Sequence, residues 1–331
     1  MGDALKALAG VRQRFRKAAI GIVAVATLSL AFACTLPAGL VREGAVHPLQ
    51  GRIWDVARGR MVSKEALLQD VASARIILLG EIHDNPEHHR LQVEVLRSVL
   101  AQGRRPALAM EQFDREFQPA LDAAAAKPGV SADALASAGG FNRDGWPWAM
   151  YEPLLATAIE ARLPVVALNL SRDGTRAVAR QGFDSLGAGA VRTLALDATW
   201  NAARQAVMDR EISDGHCGKL PPSALPRMIN VQRARDAVMA DALLGGQGDG
   251  AVVIAGNGHV RNDVGVPVYL ASRAPAQRVV SIGFIEVHPG ENAVNDYVRP
   301  PATALPYDYA WFTSAAKRED PCAGLVSPER N

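Results

Sequence analysis

The sequence predicts an α/β fold, a mostly parallel or mixed sheet flanked by helices and carrying a small helical subdomain. Short apolar runs recur at RIILLG (75–80), PALAMEQF (106–113), LPVVALNL (163–170), GAVVIAG (250–256) and RVVSIGFIEV (278–287). Their length and their Val, Ile and Leu content suit strands buried on both faces. Segments of helical periodicity separate them, and no repeat appears at the periods of solenoids or propellers.

Residues 1–33 read as a signal peptide. RQRFRK (12–17) supplies the positive start, and a charge-free, mostly apolar run extends from Ala18 to Ala33. Ala31 and Ala33 offer small side chains at a cleavage site and Cys34 follows at once. That pattern suggests a lipobox whose thiol is acylated, which would tether the chain to a membrane. Ala31 and Phe32 stand where such motifs prefer an aliphatic and then a small residue. A plain secretory peptide and an uncleaved anchor are therefore the alternatives. Residues 34–50, with Pro37, Gly39, Gly44 and Pro48, read as a tether.

The domain proper is expected over 51–315, with helical insertions at about 114–150 and 175–246 and a tail at 316–331. Residues 53–74 give a short strand, a turn and an amphipathic helix that starts after Ser63. After the strand at 75–80, Asp84 or Asn85 can cap a helix with Pro86 in its first turn, running to about Ala101. The strand at 106–113 completes a βαβ unit. An alanine-rich helix near 117–126 and a longer one after Trp146-Pro147 precede the strand at 163–170. The most regular helix is RMINVQRARDAVMADALLGG (227–246), and DYAWFTSA (308–315) reads as an edge strand.

Charge and cysteines narrow the function. The net charge is +2, and much of the basic excess precedes the apolar segment, so no basic face is left for nucleic acid. If Cys34 carries lipid, Cys217 and Cys322 remain as an even pair, each among turn residues. A disulfide suits them in an oxidising compartment. A zinc site from Cys217 and His216 is the rival reading.

Ligands of open α/β sheets collect beyond the carboxyl ends of the strands. Residues 75–79 are followed by Gly80, Glu81 and His83, 106–110 by Glu111, 163–168 by Asn169 and Arg172, and 251–255 by Gly256 to His259. Gly-x-x-His occurs twice, as GEIH (80–83) and GNGH (256–259). Imidazoles beside carboxylates can bind a divalent metal ion, and equally can serve as an acid–base set. Glu81, His83, Glu111 and His259 are accordingly expected to converge. His89 is a candidate neighbour of the site, with a capping or solvated role as the alternative. Gln232, Arg235 and Asp236 fall on the long helix, and Arg235 with Asp236 is read as reaching the site, an exposed ion pair being the alternative. FNRDGWPWAMYEP (141–153) brings Trp146, Trp148 and Tyr151 together. That is core packing, or a wall for a porphyrin with Tyr151 as an axial oxygen ligand. No Cys-x-x-Cys-His is present, which excludes covalently attached c-type haem.

LLGEIHDNPEHHRLQ (78–92), AMEQF (109–113), VVALN (165–169), HCGKLP (216–221), QRARDAVMA (232–240) and GNGHVRNDVGVP (256–267) occur in that order. In this the chain resembles the ChaN-like haem-binding uptake lipoproteins of the Tiki superfamily, from about Gly51 to Phe284. The resemblance implies an outer-membrane lipoprotein facing the periplasm, with a soluble periplasmic protein as the alternative. Its partner would be haem or an iron chelate, and a homodimer is left open. Erythromycin-esterase-like enzymes and Tiki metalloproteases are similar in the Gly-x-x-His and Glu pattern. Carried over, Glu81, His83, Glu111 and His259 would hold a metal or catalyse hydrolysis of an ester or peptide. The two expectations are therefore a lipid-anchored haem carrier and, alternatively, a periplasmic hydrolase.

Overall fold

The computed structural model describes residues 46–323 except 247, 301 and 321. The expected signal peptide, Cys34 and most of the tether lie outside the described residues. So does the tail beyond 323.

The chain after Ala45 builds one eight-stranded sheet. Its strands are β1 (Ile53–Asp55), β2 (Arg60–Val62), β3 (Ile76–Leu79), β4 (Ala107–Asp114), β5 (Val165–Asn169), β6 (Ala251–Ile254), β7 (Val279–Glu286) and β8 (Tyr309–Thr313). The spatial order is β2-β1-β8-β7-β3-β6-β4-β5. From β8 to β5 every pairing is parallel, whereas β1 runs antiparallel to both β2 and β8. The sheet is thus mixed, with a parallel centre. One expectation fails here: 308–315 is no edge. Tyr309–Thr313 lies between β1 and β7, and all five of its residues are buried. The edges are β2 and β5.

The uninterrupted apolar runs are explained by the two faces. Ile77 and Leu79 of β3 join one buried cluster, while Ile76 and Leu78 join the other. Because successive side chains of a strand point to opposite faces, a strand covered on both sides must be apolar throughout.

Ten helices cover the sheet among the described residues: α1 (Lys64–Val71), α2 (Pro86–Ala101), α3 (Gln118–Ala125), α4 (Ala132–Ala138), α5 (Trp148–Glu160), α6 (Arg172–Gln181), α7 (Ala190–Thr193), α8 (Ala202–Asp214), α9 (Leu225–Gly245) and α10 (Val266–Arg273). Local chemistry sets their starts. The Ser63 hydroxyl accepts from the Ala66 amide, and the Asn85 side chain accepts from the amides of Glu87 and His88. Pro86 then opens α2 with its φ already suited to a helix. No helix among the described residues is long and apolar enough to cross a membrane.

Cys217 and Cys322 form a disulfide across 105 residues, their Cα atoms 5.8 Å apart. Closing a loop of that size stabilises the fold by about 4–5 kcal/mol in the chain-entropy model. The rival zinc site is thereby removed, since the Cys217 sulfur is taken. His216 instead turns Nδ1 to the Ile212 carbonyl at 2.7 Å.

Candidate functional site

The carboxyl ends of the central parallel strands carry the site. β3 ends at Leu79, and Gly80 then lets Asn257 approach; a methyl group there would run into the Asn257 side chain and Val260. Asn257 is structural. Its amide donates to the Phe284 carbonyl at 2.6 Å and its oxygen accepts from the Phe284 amide at 3.2 Å.

Glu81 comes next. It is buried, yet its carboxylate collects donors from α2, β4, α5 and the loop after β3. His83 Nδ1 donates at 2.8 Å, the Tyr151 hydroxyl at 2.5 Å and Gln112 Nε2 at 3.1 Å, all to Oε1. Gln92 Nε2 donates to Oε2 at 2.8 Å. Burial would raise the carboxyl's pKa, but the hydrogen bonds and the positive imidazole beside it hold it below the ordinary range. With Nδ1 engaged, His83 keeps Nε2 free, and 43% of its side chain is exposed. Burial opposes the charged imidazole. The Glu81 hydrogen bond and the Glu111 charge outweigh it and raise the His83 pKa.

A second carboxylate–imidazole group faces the first. Glu111 lies in the last part of β4, where the register with β5 shifts between Met110 and Asp114. Its Oε2 accepts from the Gly256 amide at 2.8 Å and its Oε1 from Arg235 Nη2 at 2.6 Å. Arg235 is held in turn by Asn169 at 2.9 Å, from the end of β5. His259 Nε2 lies 3.3 Å from Glu111, and its Nδ1 donates to Asp236 at 2.5 Å. Burial works against charge on His259, but Glu111 and Asp236 push its pKa up to about 9. Burial would likewise raise Glu111; the His259 and Arg235 charges hold it well below its usual value. Gly256 is the seam between the two groups. A Cβ built there would sit 3.1 Å from His83 Cε1 and 3.7 Å from Glu111 Oε2.

The four expected residues therefore gather at one rim, and Gln232, Arg235 and Asp236 reach it from α9. Gln232 lies 3.0 Å from His259 Nδ1. Sequence reasoning missed Gln92 and Gln112 as partners of Glu81. Gln92 stands on the inward stripe of α2 beside Leu91 and Val95, where an unexplained buried amide was the available signal.

The expected divalent metal does not fit this arrangement. Among the described residues no group of three or more His, Cys, Asp or Glu is placed to hold a metal ion. The chemistry explains why: the carboxylate oxygens of Glu81 and Glu111 are occupied by amide, hydroxyl, imidazole and guanidinium donors.

The porphyrin wall is also revised. Tyr151 is fully buried, and its hydroxyl is committed to Glu81, so it offers no oxygen to an iron atom. Burial and the Glu81 charge raise its pKa far above the ordinary phenol value, the reverse of what a phenolate ligand needs. Trp146 packs edge-on against His83 at 4.5 Å between centroids, and Trp148 against Phe141 at 5.3 Å. His89 is neither capping nor solvated. Its Nε2 donates to the His83 carbonyl at 3.0 Å, and Nδ1 faces Glu81 at 3.5 Å. His88 is buried too, and burial lowers its pKa to about 4, so it is neutral.

A family model described as haem-binding uptake, Tiki superfamily, ChaN matches residues 67–270, more than half of the chain. The chain belongs to the ChaN family. Glu81, His83, Glu111, Asp236 and His259 all lie within the part that matches the ChaN model. Among solved structures, one showing cofacial haem binding to ChaN of Campylobacter jejuni aligns with a TM-score of 0.64 and 22% identity. It covers 78% of this chain and 95% of that one, a likeness of fold. The type III effector HopBA1 and an erythromycin esterase mutant align with TM-scores of 0.40 and 0.39. Each is 13% identical, over 76% and 81% of this chain and 92% and 85% of theirs. At that level they add nothing to the reading of this ChaN-family chain. No curated protein sequence matches it.

Proposed function

We propose that this chain is a haem or iron-chelate binding protein of the bacterial cell envelope, held to the outer membrane by lipid on Cys34. The observation that carries the reading is the match to the haem-binding uptake family over residues 67–270. The Cys217–Cys322 disulfide agrees with an oxidising compartment outside the cytosol. Purified mature protein titrated with haemin should give a saturable, shifted Soret band at a fixed stoichiometry. A spectrum equal to free haemin plus protein would sink the haem reading. Replacing Cys34 with serine should move the protein from the membrane to the soluble periplasmic fraction. Retention in the membrane would argue for an uncleaved helix.

One observation favours a second reading, a metal-independent hydrolase. His83 has Nδ1 anchored on an ionised carboxylate and Nε2 open, the arrangement of a general base that activates water. The neighbouring Glu111 group carries Arg235 and the imidazolium of His259, cations able to stabilise developing negative charge. In this reading His83→Ala abolishes cleavage of activated esters or peptides. If wild type and variant show the same background rate on such a panel, no turnover occurs at His83.

A further inference from the structure

We propose that residues 314–320 are a redox-controlled strap: with the Cys217–Cys322 bond closed they clamp the loop that carries His83, and reduction of that bond frees it. The strap has no regular secondary structure and leaves β8 at the carboxyl-end rim of the sheet, where the candidate site lies. Its first half is bound to the start of α2. The Ser314 amide donates to Glu87 at 2.9 Å, and the Ser314 carbonyl accepts from Asn85 Nδ2 at 2.8 Å. Asn85 is buried, caps α2 and follows His83 by two residues. The second half turns on Arg318. Its guanidinium donates to both oxygens of Asp84 at 2.8 Å and to both oxygens of Glu286 at 2.6 Å. Glu286 is buried on β7 and also accepts from Asn85 and from the Ala316 amide. One arginine thus fastens the residue next to His83 to the sheet.

The disulfide decides whether Arg318 stays there. The Asp84 side chain is 50% exposed, and a pair so open to water adds little by itself. Glu286 keeps the Asn85 donor when the arginine leaves. Cys322 lies four residues beyond Arg318 and is bonded to Cys217 in the loop after α8, so the closed bond pins the strap at both ends. Once it opens, the guanidinium is tethered from one side only, and its effective concentration at the two carboxylates falls. The bond is reachable. Both cysteines are half-buried, Gly218, Asp320 and Ala323 near them are exposed, and Cys217 holds a φ of +58°, a strained backbone for a residue with a Cβ. Exposed or strained disulfides are the labile ones. A dithiol protein of the thioredoxin class supplies the reductant. One of its thiolates attacks a sulfur of the pair, the S–S bond breaks, and the other cysteine leaves as a thiolate that takes up a proton. The reductant's second thiolate then displaces the attacked cysteine, so the chain gains two thiols and the reductant becomes a disulfide. The oxidised chain holds His83 in a fixed turn, and the reduced chain lets that turn move, whatever the site binds.

Amide hydrogen exchange of the full mature chain, read by mass spectrometry before and after dithiothreitol, tests the strap. In wild type, reduction should speed exchange over residues 82–88 by at least about tenfold, a decade being about 1.4 kcal/mol of local opening. Oxidised Arg318→Ala and Asp84→Ala should already exchange at that faster rate, and reduction should add less than about twofold to either. Asp84→Ala guards the comparison, because a half-exposed side chain threatens the fold least. Unchanged exchange at 82–88 in wild type, once thiol titration finds both cysteines free, overturns the strap. So does an equal acceleration by reduction in wild type and both variants, which would mark a general loss of stability rather than a path through Arg318.

Discussion

Replacing Glu81 with alanine lowers the melting temperature by on the order of 10 °C. The carboxylate is buried and accepts from His83, Gln92, Gln112 and Tyr151. Its removal strands a hydroxyl and two amides in a dry interior, each costing about 1–3 kcal/mol if left unpaired. It also removes the counter-charge of His83. Because 43% of the His83 side chain is exposed, that lost pair adds only a screened share, and the total cost is about 3–5 kcal/mol. Against a typical total stability of about 5–15 kcal/mol, that is a large share. Tyr151→Phe serves as the comparison, because it deletes one donor and leaves the carboxylate three others. Its expected cost is about 1–2 kcal/mol. Thermal or urea unfolding of both variants measures the difference. A Glu81→Ala protein within about 1 kcal/mol of wild type, the cost of an ordinary substitution, would mean that the donors find new partners. The carboxylate would then not be the organising centre of the rim.

Much of this centre is legible in the sequence. Strands buried on both faces announce themselves as continuous apolar runs, and the residues just beyond them lie at one rim by topology alone. That places Glu81, His83, Glu111 and His259 without any side-chain geometry. The pairing is hidden. Two imidazoles and two carboxylates suggest a metal cradle, but the carboxylates are saturated by residues distant in sequence: Tyr151 for Glu81, and Arg235 for Glu111. Tyr151 misleads for the same reason. In FNRDGWPWAMYEP an aromatic with a hydroxyl can face a ligand or a buried acceptor, and only the packing of α5 on α2 decides between them. The position of β8 is hidden too. A strand at the chain's end pairs by default at an edge, whereas here β1 covers its free side.

Stability should fall as the solution is made alkaline, through the Glu111–His259–Asp236 group. The His259 pKa is pushed up to about 9 in the folded chain, while an unfolded histidine titrates near 6.5. A group whose folded pKa lies above its unfolded value binds protons more tightly when folded. Its contribution is therefore fully present below about pH 6.5 and is lost as the pH climbs to about 9. Integrated over that window it is about 3 kcal/mol, shared with Asp236, whose own carboxyl is raised by burial and titrates with the imidazole as a unit. The acid side runs the other way. Glu81 and Glu111 are both held below the ordinary carboxylate range, so their contribution is present above about pH 4.5 and is lost as the pH falls further. His88 adds to the acid side, because its pKa is lowered to about 4 and its neutral form is lost as the pH falls from about 6.5. The stability maximum is thus expected at about pH 6.5. Glu111→Gln probes this group, and because the Glu111 charge also helps raise the His83 pKa, the NMR signal of the His259 ring is followed alongside the melting curves. The substitution removes the negative charge that pairs with Arg235 and is the largest one favouring protonated His259, while keeping the shape of the side chain and one acceptor oxygen. At about pH 6 it should cost about 3–5 kcal/mol. Above about pH 9 the deficit against wild type should shrink by about the 3 kcal/mol that wild type has lost, because the variant's imidazole is already neutral there. Melting curves of both proteins at about pH 6, 8 and 9.5 read this directly, and the His259 ring proton followed by NMR reports the pKa itself. A wild-type melting temperature that stays flat across that range would show that His259 is neutral in the folded chain, and the coupling of Glu111 to Asp236 through its imidazolium would have to be abandoned.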